Sequence, residues 1–436
     1  MDYEAMAREL ESCPCAAGTQ RLPYIRIGES VLPTAGEILR QEGFPRKILL
    51  ISDENTTRAA RGLLRSLVEN GFVVRRHIYP DLRSATLETV KHVRSLTPGI
   101  AGIIAVGTGC ISDVCRMAAS QTRKPLCIFA TAASMDGFAS ATAPIITDGF
   151  KTSHQAKAPD FLLADTAVLE KAPAFLTAAG VGDIAGKCIA LADWRIAALF
   201  GECPAPVAAV SYKDNTSSQV FCTEPYCPQI AAHVREAFHM VSRKTDSAQP
   251  YSTQVLEALI LSGLCMAWHG SSRPASGAEH SLAHFWEMRK LFAEEAPEFH
   301  GAMVGVATLL LAEVYHRTVN NPSPAFVPEH KDKVGLRRAF PGLEAEIKRM
   351  NCPSPLANLS PEQLAETWPD ICRIVREEIP PTAELEALLR AAGAPLTPEE
   401  IHVPAELVTE GLRYSSYARK RITLLRILNG MGPGIV

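Results

Sequence analysis

The sequence has little net charge, no long uninterrupted apolar run and no paired cysteine spacing, and each absence removes a class of function. Across 436 residues, 44 Lys and Arg stand against 47 Asp and Glu, a formal net charge of -3. That balance offers no bulk attraction to nucleic acid or to an anionic membrane, so neither is expected as a partner. The longest apolar stretches, such as Val255 to Trp268, are interrupted by Glu257, Ser262 and Gly263, so no membrane span is expected. Met1 to Leu10 carries Asp2, Glu4 and Glu9 and lacks a basic stretch followed by an apolar one, which predicts a soluble, cytoplasmic protein. Of the 12 cysteines, Cys13-Pro14-Cys15 and the pair Cys222 and Cys227 lack the CxxC spacing of a structural zinc site. The others are scattered through apolar segments, which predicts buried, reduced thiols. No internal repeat or low-complexity segment is present. A small-molecule role is favoured, in a chain long enough for two or three domains.

From Pro23 to about Leu169, β-branched runs alternate with helical periodicity. The pattern predicts a strand over Ile48 to Ile51, a helix over Thr56 to Glu69 and a strand over Phe72 to Tyr79. A helix over Leu87 to Leu96, a strand over Ile100 to Val106, a helix over Ile111 to Ser120 and a strand over Leu126 to Ala130 follow. Such alternation implies a mostly parallel sheet with helices on both faces. Beyond Leu176 helical spacing dominates, over Ala178 to Leu199, Gln254 to Trp268, Ala278 to Phe292, His300 to Tyr315, Pro361 to Glu378 and Thr382 to Ala392. The expected organisation is an α/β domain over residues 1–175 and an all-α domain over 176–436. Near the end, Ser415 to Leu428 shows a basic face (Arg419, Lys420, Arg421, Arg426) over an apolar one, the pattern of an ordinary amphipathic surface helix.

Six stretches carry chemistry. In Ser271 to Glu287, the four-residue spacing of His280 and His284 stacks two imidazoles on one helical face, able to give one ring to a metal and the other to substrate or a proton. Read alone, this is a helix with two ordinary histidines. His300-Gly301 downstream and Gly182-Asp183-Ile184 upstream add a third imidazole and a carboxylate, and two histidines with a carboxylate make a three-ligand site with positions left open. Gly107-Thr108-Gly109-Cys110-Ile111-Ser112-Asp113 follows an apolar strand and opens a helix, where free N-H groups favour an anion; a plain tight turn is the alternative. Thr131 to Ser140 sits at the next strand exit, where Asp136 is either a turn-stabilising residue or a hydroxyl-binding carboxylate. Ser52 to Thr56, at an earlier strand end, is a helix cap or a ribose and adenine contact.

The set GTGCISDVCR, TAASMDGFAS, GDIAGK, SSRPASGAEHSLAHFWEM and HGAMVGVATLL resembles the glycerol-1-phosphate dehydrogenase family, including its bacterial AraM-like branch. That family lies within the iron-containing alcohol dehydrogenase and dehydroquinate synthase-like superfamily, which has a Rossmann-like N-terminal domain and a helical C-terminal one. The resemblance spans about Ser52 to Leu310, with a weaker echo over Tyr414 to Leu428. It implies one divalent metal (zinc, nickel or iron) held by Asp183, His280 and His300. It implies NAD(H) or NADP(H) contacted by Gly107, Thr108, Gly109, Cys110, Ile111, Thr131, Ala132, Ala133, Ser134 and Ser140, with Asp53 near the adenosine end. Asp136, Asp183 and His284 would contact substrate and share the catalysis.

The implied reaction is reversible reduction of dihydroxyacetone phosphate to sn-glycerol 1-phosphate, by a homo-oligomer, expected to be a dimer. Arg273, Lys151 and Lys157 are candidates for the phosphate. The alternatives are a polyol dehydrogenase, a dehydroquinate synthase-like enzyme and a catalytically silent nucleotide-binding regulator. One departure stands out: where the family usually reads like His-Gly-Glu-Lys, this chain has His300-Gly301-Ala302-Met303, which removes a charged pair beside the histidine.

Overall fold

A computed structural model of the chain describes residues 2–11, 13, 22–200, 225–243 and 250–433. Pro14, Cys15 and Cys222 of the cysteine spacings lie outside the described residues. Among the described residues there are eight strands: β1 (Tyr24–Gly28), β2 (Lys47–Asp53), β3 (Val73–Tyr79), β4 (Gly102–Gly107), β5 (Leu126–Ala130), β6 (Thr142–Thr147), β7 (Phe150–Gln155) and β8 (Phe161–Asp165). Six form one sheet in the order β1-β8-β5-β4-β2-β3, every pair parallel, while β6 and β7 make a separate antiparallel hairpin.

Burial on both faces explains the continuous apolar runs of the central strands. In β2, Leu49 and Ile51 join the large core that continues into the helical region, while Ile48 and Leu50 pack on the opposite face with Leu39, Leu67 and Phe129. Strand order reverses between β2 and β4, and such a reversal opens a crevice at the strands' carboxyl ends. Asp53 ends β2 and Gly107 ends β4, so the chain places both beside that crevice.

Some expectations need correction. The helix expected over Thr56 to Glu69 is two helices, Glu54–Ala59 and Leu63–Glu69, because Gly62 at φ 111° turns the chain between them. Ser415 to Leu428 is not a surface helix. It is a short 3-10 turn (Ser415–Ala418), an irregular stretch and a new helix (Leu424–Gly430) started by the Thr423 hydroxyl, which accepts the Arg426 N-H at 3.1 Å. Its supposed surface cation Arg426 is fully buried, stacked 3.5 Å over the Tyr417 ring.

Among the described residues no strand follows Asp165, and the helices take over. The run expected over Ala178 to Leu199 is two helices, Ala174–Ala185 and Lys187–Ala198. Together they are the one described stretch long and apolar enough to cross a membrane, but 78% of its most apolar window is buried inside the protein. Helices Ala278–Phe292, Pro361–Glu378 and Thr382–Ala392 have the expected bounds. The expected His300 helix extends to Val319.

Helix Ala174–Ala185 crosses helix His300–Val319 backbone to backbone. A Cβ on Gly182 would collide with the Gly301 carbonyl, and one on Gly301 with the Ala179 carbonyl. A Cβ on Gly180 would likewise meet the Ala133 carbonyl, which presses the exit of β5 onto the same helix. Carbonyls fixed in a helix cannot swing away as a side-chain tip can, so overpacking here should cost about 2 kcal/mol. Gly301→Ala is therefore expected to lower the denaturant midpoint by that equivalent. Gly109→Ala, whose Cβ would meet only Met135 Cγ at 3.5 Å, should not. Equal midpoints for the two variants would refute the close crossing.

Candidate active site

Three helices meet where the β2/β4 crevice reaches the helical region. Helix Ala174–Ala185 brings Asp183, the first turn of Ala278–Phe292 brings His280, and His300 opens its own helix. One ligand atom from each lies within 4.8 Å of the others. Asp183 is fully buried and His280 is 5% exposed. His284 stands one turn beyond His280, and its ring lies 5.1 Å from that of His300, so the three imidazoles form one cluster.

Hydrogen bonds fix the tautomers. Glu279 Oε1 lies 2.6 Å from His280 Nδ1 and also accepts the Gly277 N-H at 2.9 Å. A carboxylate only accepts, so Nδ1 carries a hydrogen and Nε2 is the nitrogen turned toward Asp183, 3.4 Å away. This carboxylate-histidine arrangement is the one that orients metal-ligating imidazoles. At His284 the logic runs the other way. Arg419 donates to His284 Nδ1 at 2.9 Å, so the ring proton sits on Nε2. Burial, with Lys151 and Arg419 beside it, pushes the His284 pKa down and keeps the ring neutral.

Two carboxylates lie together behind the cluster. Lys187 Nζ donates to Asp183 Oδ1 and stands 2.7 Å from both that atom and Asp136 Oδ2. Asp136 also accepts from the Ser262 hydroxyl at 3.0 Å, and its backbone N-H donates to Asp183 Oδ2 at 2.9 Å. Burial alone would raise the Asp183 carboxyl, but Lys187 and the His280 hydrogen bond hold it well below the usual carboxylate range. Asp136 moves the opposite way, raised by burial and by the Asp183 charge. The pair is thus polarised: Asp183 stays ionised, and Asp136 holds a proton more readily.

A divalent cation fits this donor set. The set is two imidazoles and an ionised carboxylate, the His300 pKa is pushed down by burial toward the neutral form, and His300 Nδ1 has no hydrogen-bond partner among the described residues. Next to it in the chain, Met303 is fully buried in the apolar core and Ala302 packs against that core, so neither side chain offers a polar group. A second trio, His284, Glu287 and His300, is equally compact. Charge favours the first. Around Asp183 stand the carboxyl groups of Asp136 and Glu279 with one ammonium, Lys187, whereas in the second trio Glu287 already pairs with Lys151 at 2.5 Å and Arg419 abuts His284.

The crevice toward the sheet holds the residues singled out for a cofactor. A cavity of about 910 Å³ is lined by Asp53, Thr108, Thr131 and Ala132. It adjoins a smaller one of about 170 Å³ lined by Gly109, Cys110, Ile111, Ser134, Ser140 and the three histidines. Gly107 and Ala133 are on neither wall: a Cβ on Gly107 would meet Ile111 Cδ1 at 2.7 Å, and Ala133 is packed against Gly180. Asp53 caps the next helix through Thr56 N-H at 2.7 Å, one of its two readings, and it also lines both cavities.

Of the phosphate candidates only Lys151 lines the smaller cavity. Arg273 is buried and donates to the carbonyls of Asp193 and Ile422, and Lys157 pairs with Asp160 on the exposed side. Reading the sequence missed Lys187, Glu279, Glu287 and Arg419. For Lys187 the signal was its four-residue spacing from Asp183, but Arg419 carried none.

The chain resembles proteins of known name at three levels. The family model for iron-containing alcohol dehydrogenases matches residues 26–173. Glycerol-1-phosphate dehydrogenase (NAD(P)+) of Bacillus licheniformis is 31% identical, over 98% of this chain and 95% of its own length. Its Bacillus subtilis counterpart is 32% identical, over 95% and 93%. Among solved structures, NADH-dependent butanol dehydrogenase A of Thermotoga maritima superposes with a TM-score of 0.56 at 14% identity, over 93% of each chain, a likeness of fold.

Two outcomes test this geometry. His280→Ala should strip the protein of bound divalent metal, read by elemental analysis, and Glu279→Gln should weaken metal affinity about 10- to 100-fold, the usual effect of losing an orienting partner. Retained metal in His280→Ala would exclude the first trio. Separately, Gly109→Val should fold normally yet lose NADH affinity in fluorescence titration, because the new side chain projects into the crevice. Unchanged affinity would place the pyrophosphate elsewhere.

Proposed function

The chain belongs to the glycerol-1-phosphate dehydrogenase family, and from that membership we propose that it interconverts dihydroxyacetone phosphate and sn-glycerol 1-phosphate with NAD(H) or NADP(H). The observation that carries the reading is the placement of Asp183, His280 and His300 at the end of the crevice that begins at the Gly107 to Gly109 turn. Residues 1–175 then serve the nicotinamide cofactor and residues 176–436 serve metal and substrate, with Asp136 reaching the substrate from the first part. The working unit we assign is a cytoplasmic homodimer, on the strength of the resemblance set out above.

A divalent cation (zinc, nickel or iron) held by Asp183, His280 and His300 would supply Lewis acidity toward the substrate carbonyl, and the cofactor would supply hydride from nicotinamide C4 to C2. The chain's own groups do the rest. N-H groups at the start of helix Gly109–Thr122 would meet the pyrophosphate, and Thr131, Ala132, Ser134 and Ser140, which line the crevice, would contact the rest of the cofactor. His284, neutral and protonated at Nε2, is a hydrogen-bond donor to a substrate hydroxyl and a poor acid. Asp136, with its raised proton affinity, is the better group to give the substrate oxygen its proton, while Ser262 and Lys187 hydrogen-bond the carboxylate left behind. In the reverse direction the same carboxylate takes the proton from the alcohol.

Dihydroxyacetone phosphate should be reduced with kcat/KM at least about tenfold above that for dihydroxyacetone, roughly 1.4 kcal/mol of transition-state stabilisation. Chiral analysis of the product should find sn-glycerol 1-phosphate. Equal rates for the two ketones would move the protein to the polyol dehydrogenases, and the 3-phosphate enantiomer as product would overturn the family reaction. Asp136→Asn should lower kcat more than it changes KM, since it removes the proton and keeps the shape.

A further inference from the structure

The smaller cavity has a second pole that the reaction centre leaves unused. Beyond His284 its lining includes Lys151, Arg419, Ser272 and Ser276, with Glu287 beside Lys151. These groups arrive on separate stretches of chain. Lys151 is on β7, and its backbone N-H is anchored on Met288 Sδ at 3.3 Å. Ser272 and Ser276 flank the turn before the His280 helix, and Arg419 comes from the irregular stretch after Ser415–Ala418. Arg419 donates to Ser276 Oγ at 2.6 Å and to His284 Nδ1 at 2.9 Å, both neutral acceptors. Arg421 holds this tail in place by donating to the Ser276 carbonyl at 3.0 Å and to the Ser272 hydroxyl at 3.1 Å.

Resting on the reading of the substrate as a phosphorylated ketone, we propose that Arg419 and Lys151 clamp its phosphate, with the Ser272 and Ser276 hydroxyls completing the cradle. Four features favour this pole. Two cations face one carboxylate, so a dianion entering here improves the local balance, whereas at the Asp183 pole it would meet carboxylates. A guanidinium offers a fork of donors matched to phosphate oxygens, and hydroxyls can donate as readily as accept. Neither the fork nor the ammonium is hydrated as it would be at the surface, so contacts made there are strong. His284 lies between the poles, its ring 5.1 Å from that of His300 on one side and its Nδ1 2.9 Å from Arg419 on the other. A three-carbon phosphoketone therefore reaches from the histidine cluster, which takes its C2 carbonyl, past His284 to the cradle.

The free protein keeps each cradle group engaged. Lys151 holds Glu287, and Arg419 holds His284 and Ser276. Binding exchanges those partners for phosphate oxygens, so the phosphate end of the substrate also frees His284 Nδ1. The segment first read as a surface helix thus becomes a specificity element, and Arg273, nearer in sequence to His280, does not.

The test uses the full-length, metal-loaded enzyme, Arg419→Ala, Arg419→Lys and Lys151→Met. Two readouts are taken: the ratio of kcat/KM for dihydroxyacetone phosphate over dihydroxyacetone, and calorimetric affinity for inorganic phosphate. Arg419→Ala should lower both at least about tenfold, the scale of one charge-assisted contact. Lys151→Met should do the same, and Arg419→Lys should keep part of the phosphate affinity. Free guanidinium should rescue Arg419→Ala on the phosphorylated ketone more than on dihydroxyacetone. Bound NADH and melting temperature confirm that each variant is folded, and if Arg419→Ala is not, Arg419→Lys and Lys151→Met decide. An unchanged ratio in folded variants, with both ketones slowed alike, would overturn the cradle and leave Arg419 as a support for His284. If the parent shows no preference for the phosphorylated ketone, the substrate reading itself fails, and calorimetry then judges the cradle alone: tight phosphate binding that Arg419→Ala abolishes supports it, and absence of binding by the parent overturns it.

Discussion

Lys187 joins the two halves of this protein. Its ammonium, fully buried, contacts Asp136 from the strand-exit segment after β5 and Asp183 from the first long helix of the helical region. Two carboxylates brought so close inside protein would repel, and an uncompensated buried charge costs several kcal/mol. One cation placed a helical turn after Asp183 neutralises that repulsion and ties together segments far apart in the chain. Burial would push the Lys187 proton off, yet the two carboxylates raise its pKa instead. The cluster proposed as the reaction centre is therefore also the electrostatic joint on which the halves meet.

From that joint the cavity is polarised along its length. Carboxylates crowd the Asp183 end, cations the Arg419 end, and neutral His284 separates them. A small substrate with an electron-rich carbonyl at one end and an anion at the other has one favourable orientation in such a field. Specificity of this kind rests on the difference between two orientations as much as on total affinity.

The parts of this architecture that were legible in the sequence are those set by local pattern. Ile100 to Ser120 reads as strand, turn and helix because β-branched residues, two glycines and a helical apolar spacing succeed one another, and the structure has β4, the turn and helix Gly109–Thr122 there. His280 was legible as a candidate by its four-residue spacing from His284, and His300 because it opens an apolar helical run. The illegible parts depend on contacts between distant segments. Ser415 to Leu428 has the periodicity of one helix, but Asp193, which accepts the Leu424 N-H at 2.8 Å and the Ala278 N-H at 2.9 Å, ties the tail to the His280 helix and turns its arginines inward. No window of sequence around Arg419 contains Asp193. Likewise the break at Gly62 depends on one residue adopting a conformation that its neighbours do not announce.

The glycine crossings set a limit on how the molecule can move. With Gly182 against the Gly301 carbonyl and Gly180 against the Ala133 carbonyl, sliding one helix along another by even part of a turn would bring a Cβ into a space that only hydrogen fits. Shear, the usual way packed helices accommodate a ligand, is thereby blocked beneath the histidines, and rotation about a hinge is what remains. The floor and the strand-exit segment must travel as one block. Breathing during turnover then falls to the outer lip, where Arg83 stacks 4.9 Å over the Phe299 ring and half-exposed Phe175 stands 5.0 Å from the same ring. Those contacts are stacked, not interlocked, so they can part and re-form while the catalytic geometry stays fixed.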